Sequence, residues 1–343
     1  MRSFLFAGLA VLGATAAGAQ STATLRGIDV YRSSTFSADE ARRIFGDRLV
    51  EYVHWRNEHL PGLDAKAEKL RQQMQAEVLR RPGIVFAELN FAEFFTSVDH
   101  AMYAVFDVVD EADSARLSFK PLPHGVHADP DGLLAAWRRY MTVGETLSQR
   151  GEMSFERPNC PGFYCLWSGT ADIDSLQQRF KEGAAKHFDD LHRILAADKD
   201  GERRTEALFV LSYAESGRAV LGYCQEGLSD SDARVRGAAL QILADIANHH
   251  PELPIALGHV LPCLDDPSAA VRGKAMGLLV PLAAKEAYRE VMLSSAPRLV
   301  DLLKMHQPES NTLAYTLLGI LSRKDYDRND YAAWEKWAKK VGP

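Results

Sequence analysis

Three stretches of this 343-residue chain repeat one frame: an Asp, an Arg six positions later, then apolar residues at helical spacing. Asp198 leads to Arg204, Asp230 to Arg236 and Asp266 to Arg272. The arginines stand 32 and 36 residues apart, within the window where a fixed period marks stacked supersecondary units. The helix after each Arg aligns position by position. Ala207, Ala239 and Ala275 are small enough to let neighbouring helices approach, and Leu211, Leu243 and Leu279 continue the apolar stripe. Such a unit cannot bury its apolar face alone, so the pattern predicts an all-α stack over 174–343 in which each repeat covers the next.

A fourth copy, Asn311 to Leu321, keeps Ala314, Leu317, Leu318 and Leu321 but has neither the Asp nor the Arg. It reads as a terminal capping repeat with no further neighbour to bond. The last helix, Tyr331 to Val341, spaces Trp334 and Trp337 to close the end of the core. Upstream, Asp174 to Ala197 reads as one long amphipathic helix that opens the stack.

These residues resemble the HEAT repeat, and more closely its phycobilisome-lyase-like variant. The resemblance implies a structural ladder in which Asp198, Asp230 and Asp266 pair with Arg204, Arg236 and Arg272, or with the corresponding Arg of the next repeat. Arg suits this role because its planar fork bonds two acceptors at once. It also implies a long curved surface for protein ligands, on which Arg203, Gln241, Lys274 and Tyr315 are the exposed candidates flanking the ladder. Some lyase-like relatives attach or remove bilins inside the cell, which makes a lyase-like enzyme or accessory the alternative.

The first residues argue against an intracellular address. Met1-Arg2, the apolar run Phe4–Leu12 and the small-residue site Ala17-Gly18-Ala19 fit a secretory signal peptide over 1–19, cleaved near Ala19. The run is too short to span hydrocarbon comfortably, and no second long apolar run follows. The expected product is periplasmic or secreted, with no integral span in the mature chain and other envelope or secreted proteins as partners. A net charge of -6 and the absence of a basic stripe argue against nucleic acid.

Residues 20–122 read as a small α+β domain in the order strand–helix–helix–strand–strand. Ile28 to Tyr31 is β-rich, and Ser37 with Glu40 forms a capping box. Two amphipathic helices carry Phe45, Leu49 and Tyr52, then Leu70, Met74 and Val78. Ile84–Phe95 and Met102–Val109 alternate around a polar turn, as in a hairpin. On the second strand Ala104, Phe106 and Val108 occupy one side, and Tyr103, Val105 and Val109 the other. The element order and the export signal resemble a POTRA domain, which implies envelope partners; the sheet edge of the α+β unit is itself a place for a client peptide to add a strand. The acidic run Asp107, Asp110, Glu111 and Asp113 reads as a solvated strand end.

Residues 123–173 hold a linker helix and a cysteine loop. Cys160 and Cys165 flank a Pro-Gly turn, and an oxidising compartment favours a structural disulfide between them. Phe163, Tyr164 and Trp167 beside them are candidates for a pocket wall in a small-ligand carrier. Cys224 and Cys263 read as buried free thiols. His124, His127, Asp129 and Asp131 have metal-ligand types but lack the spacing of a fixed four-ligand site. No nucleophile elbow, phosphate loop, dinucleotide fingerprint or zincin motif occurs, so the expectation is a protein without catalysis, metal or cofactor.

Overall fold

The structure, a computed structural model, describes residues 22–58, 60, 62–96, 99–152 and 160–342. The expected leader and its expected cleavage site, Pro61 and the start of the cysteine loop lie outside these residues.

Strand β1 (Thr24–Tyr31) leads to helices α1 (Ala38–Glu58) and α2 (Leu63–Leu79), then to β2 (Ile84–Phe95) and β3 (His100–Asp110). The sheet order is β1-β3-β2, with β1 parallel and β2 antiparallel to the central β3. Ser37 Oγ accepts the Glu40 amide at the start of α1, while the Glu40 carboxylate turns away to Arg81. The apolar stripes of α1 and α2 bury Phe45, Leu49, Tyr52, Leu70, Met74 and Val78 against one face of the sheet. Phe106 stacks on Phe45 and meets Phe36 edge-on, each at 5.5 Å between ring centres.

Strands alternate faces, so Val105, Asp107 and Val109 point away from α1 and α2. That side is buried as well, because Tyr31 and Val105 join the core of the helical region. The correction to the solvated strand end follows: Asp107 is fully buried and Asp110 is 5 % exposed, while only the outer part of the run reaches solvent.

After β3 an extended segment crosses the helical region, followed by α3 (Leu133–Gln149), α4 (Ala171–Lys186) and α5 (Phe188–Ala197). The single helix expected over 174–197 is two. His187 leaves helical dihedrals, its ring bonds the Asp131 carboxylate at 2.7 Å, and Asp189 and Asp190 open the next helix. Helix pairs follow: α5 with α6 (Gly201–Leu211), then α7 (Gly217–Gly227) with α8 (Ala233–His249). The short α9 (Leu257–Val260), with the 3-10 turn Leu261–Asp265, pairs with α10 (Ala269–Ala283). An inserted α11 (Glu286–Leu293) precedes α12 (Ala296–Leu303) and α13 (Pro308–Ser322), and α14 (Tyr331–Val341) packs on α12. The second helices α6, α8, α10 and α13 pack side by side in chain order. Trp334 is fully buried at the far end, its indole N–H donating to Asp327 O.

Candidate binding cleft at the joint of sheet and helices

Each ladder arginine reaches forward. Arg204 donates Nε and Nη2 to the carboxylate of Asp230 at 2.8 and 2.6 Å, and Nη1 to the backbone oxygen of Asp198 at 2.8 Å. Arg236 repeats this with the Asp266 carboxylate at 2.6 and 2.9 Å and Asp230 O at 2.8 Å. Neither expected carboxylate pairing is the one formed: an Asp carboxylate takes the Arg of the preceding repeat, and the Arg of its own repeat takes only its carbonyl. Six residues of chain place Asp and Arg on one turn, where the carbonyl is the nearer acceptor, and stacking brings the neighbour's carboxylate within reach. Asp198 has no preceding rung, and Arg203 with the His127 amide occupies its carboxylate instead.

Every ladder Asp has a second task. Its Oδ1 accepts the amide of the residue two positions on, which is the N-cap of the second helix: Asp200, Asp232 and Ser268. In the fourth repeat the N-cap is Gln307, so the alignment puts Met305 where the Asp would be and Asn311 where the Arg would be.

The rung is nevertheless filled. Arg272 donates Nη2 to Asp107 Oδ1 at 2.6 Å, and both side chains are fully buried. The amide of Gln307 goes to Asp29 Oδ2 at 2.8 Å, and Asp29 Oδ1 takes the His306 amide and ring Nδ1 at 2.8 Å each. Two carboxylates from neighbouring strands thus divide what one Asp does elsewhere. Asp107 Oδ2 also accepts the Ala269 amide, capping α10 where Ser268 makes no side-chain cap. The reading of the fourth copy as an end without a bonding neighbour is corrected: the sheet is that neighbour. Gly27 allows the approach, since a Cβ there would stand 2.8 Å from the Cβ of His306.

Further contacts lock the joint. Tyr31 donates its hydroxyl to Leu264 O at 2.9 Å, under the Arg272 guanidinium 4.0 Å from its ring. Burial raises the Tyr31 hydroxyl to about 12, against the opposing pull of Arg272. Arg116 donates to Asp265 O at 2.8 Å, and Arg32 and Arg298 both reach the Asp265 carboxylate. The extended segment after β3 runs back along the ladder. Phe119 lies 3.9 Å beneath Arg236, the Lys120 amide donates to Ser229 O, and Gly125 exchanges backbone bonds with Ala197 and Lys199.

Between the sheet and the starts of α8, α10 and α13 lies a cleft of about 480 Å³. Its sheet wall presents Glu88, Asn90 and Val105, and its helical wall presents Ala269, Val271 and Lys274. Lys274 donates to Gln241 Oε1 at 3.1 Å, and Gln241 donates in turn to the Tyr164 hydroxyl. Gly237 leaves room for this reach, with a would-be Cβ 3.3 Å from the Lys274 ammonium. Solvent reaches the Lys274 side chain, yet the protein crowded around its ammonium lowers its pKa, with Glu309 pulling the other way. Burial, then the charge of Asp107, raises the Glu88 carboxyl.

Of the four candidates for a partner surface, Gln241 and Lys274 therefore meet at this cleft. Arg203 is engaged with Asp198 and His127 O, and Tyr315 donates to Tyr326 O and packs edge-on against Trp334. Glu88 was not a candidate: β2 also carries Glu93, and nothing along the chain sets one apart from the other. On the outer edge of β2, the backbone of Leu89 is occupied by Arg71 and Gln75 of α2, which closes the middle of that edge to an added strand.

Cys160 and Cys165 are disulfide-bonded, their Cα atoms 5.8 Å apart. The aromatic loop is packed inward: Tyr164 is buried, and Trp167 exchanges backbone bonds with the Tyr140 hydroxyl. Cys224 and Cys263 are buried free thiols, burial raising both and the second to about 12. Asp129 caps α3, and Asp131 binds Lys186 and His187. Among the described residues no group of His, Cys, Asp and Glu is arranged to hold a metal, and no helix is long and apolar enough to cross a membrane.

A HEAT-repeat family model matches residues 220–250, which cover most of α7 and all of α8 together with Asp230 and Arg236. No curated protein matches the chain, and no solved structure does.

Proposed function

We propose that this chain is an exported helical solenoid that serves as a non-catalytic protein-binding scaffold, its N-terminal unit POTRA-like in element order. HEAT repeats generally mediate protein–protein interaction, and the match over 220–250 brings that expectation here. The observation that carries the reading is the continuous ladder from Asp198 to Asp107, which joins the helix pairs and the sheet into one platform. A platform whose repeats hold fixed spacing presents a surface with little ordering cost on binding. The disulfide suits an oxidising compartment. A lyase-like role finds less support, since both free thiols are buried with raised pKa and a thiolate is the reactive form.

The test is photo-crosslinking from exposed helix positions in intact cells, followed by mass spectrometry. The expected result is one or a few proteins captured repeatedly from adjacent positions. Capture of no protein from any position on the helical surface would sink the scaffold reading, and a signal sequence retained on the cell-purified chain would sink the export reading.

A further inference from the structure

The sheet–helix cleft is lined by four charged side chains, Glu88, Arg234, Lys274 and Glu309; Arg234 is paired with Asp232, while Glu88 and Lys274, of opposite sign, form no ion pair. Glu88 stands on the sheet wall, opposite Asp107 in the strand register, and Lys274 stands on the helical wall. Among the described residues neither has an ion-pair partner. Lys274 is held back by Gln241, which the Tyr164 hydroxyl orients in turn, so an ammonium with two N–H groups to spare is fixed in place. Glu88 is held by its strand, behind which Asp107 is committed to Arg272. Each group is partly desolvated, and the pKa directions of both report it. Glu309 acts on Lys274, and Arg71 and Arg236 act on Glu88, but none of them closes an ion pair, so each charge is only partly compensated for the water it has lost. A ligand that brings both counter-charges offsets both losses at once.

We propose that this cleft is a binding site for a small zwitterion, a short peptide whose carboxylate meets Lys274 and whose ammonium meets Glu88. About 480 Å³ lies in the range of small-ligand sites and exceeds the needs of a single small amino acid. Val105, Ala269 and Val271 supply apolar walls for side chains. Asn90 shares its Nδ2 between Asp107 and Glu88 and keeps its Oδ1 for a peptide N–H. Glu309, on the helical wall beside Lys274, is the groove's competing carboxylate, and it favours ligands that also carry a cation.

The probe is trialanine, added to the full mature chain and followed by saturation-transfer NMR and calorimetry. Three analogues accompany it: the N-acetyl peptide, the C-terminal amide, and the peptide with both ends blocked. The expected result is binding of trialanine, weakened at least about tenfold by blocking either end. In Lys274→Met the penalty for amidation should vanish while that for acetylation remains, and Glu88→Gln should do the reverse. Free alanine should bind more weakly than trialanine, since it cannot span both walls. Equal binding of the doubly blocked peptide, or none of trialanine up to about 10 mM, overturns the proposal. So does an unchanged pattern in both variants, with thermal melting showing that each remains folded. The crosslinking test of the scaffold samples other surfaces and is independent of these outcomes.

Discussion

Arg272 donates to the carboxylate of Asp107, 165 residues earlier in the chain, and both side chains are wholly removed from solvent. Two features separate this rung from those before it. Arg204 and Arg236 each grip a carboxylate through Nε and Nη2, whereas Arg272 uses Nη2 alone and its Nε finds no acceptor among the described residues. The second Asp107 oxygen is taken by Ala269 and Asn90. The sheet thus caps the stack through a buried ion pair, with Tyr31 and Val105 as the apolar part of the contact.

Asp107→Ala leaves the Arg272 guanidinium buried and unpaired, at a cost of about 3–5 kcal/mol. Asp230→Ala should cost about as much, by the same argument applied to Arg204. The two differ in what opens. Limited proteolysis should cut the crossing segment near Phe119 in Asp107→Ala well before cutting the helices, because the sheet is released first. Urea denaturation gives the totals, and identical cleavage patterns for the two variants would contradict the division of labour.

Asp29→Asn should be milder, about 1–2 kcal/mol, because its partners are backbone amides and a ring nitrogen of half-exposed His306. Hydrogen exchange should accelerate at the amides of His306 and Gln307 and stay unchanged at Ser268, whose acceptor is Asp266.

Asp110 supplies an acid-sensitive contribution. Burial alone would raise its carboxyl, but hydrogen bonds from the Ser33 hydroxyl, the Ser34 amide and hydroxyl, and the Thr35 hydroxyl bring it down to about 2. In the unfolded chain the same group titrates near 3.8. The folded form binds fewer protons between those values, so the stabilisation is complete above the unfolded value and is lost as pH falls toward 2. Asp110→Asn should lower stability at neutral pH by about 2 kcal/mol and flatten that acid limb. A pH-stability curve parallel to that of the parent protein would show the contribution to be absent.

Reduction of the Cys160–Cys165 bond, which closes a loop of sequence separation 5, should cost about 2 kcal/mol on the loop-closure estimate. The loss should appear as a lower melting temperature and a changed near-ultraviolet signal. Cys165 accepts from the Tyr213 hydroxyl at 3.7 Å, and the loop positions Trp167. In the oxidised native protein a thiol reagent should find no fast-reacting cysteine, since Cys224 and Cys263 are both buried.

Periodic features were legible because they depend on neighbours in the chain. The helix pairs, the alternation of β3 and the Asp–Arg frame all follow from spacing, and each appears close to its expected bounds. The break at His187 was not legible, because it turns on a bond to Asp131, 56 residues away. Asp107 looked like part of a solvated run, although Val105 and Val109 on its own side marked that face as apolar. A strand apolar on both faces is a strand covered on both faces, and an acid within it needs a partner.

By itself the sequence determined the repeat, the order of strands and helices, and which residues carry the ladder. Only the tertiary structure decided the direction of the rungs, how the ladder ends, and which charges share a cleft. The reason is the range of the forces involved. Helical and strand periodicity are written in steps of two to four residues, so composition along the chain reveals them. A guanidinium donates to any carboxylate that stacking brings within about 3 Å, whatever its place in the chain. Asp29 and Asp107 complete the fourth repeat, and Glu88 faces Lys274, because folding placed them there.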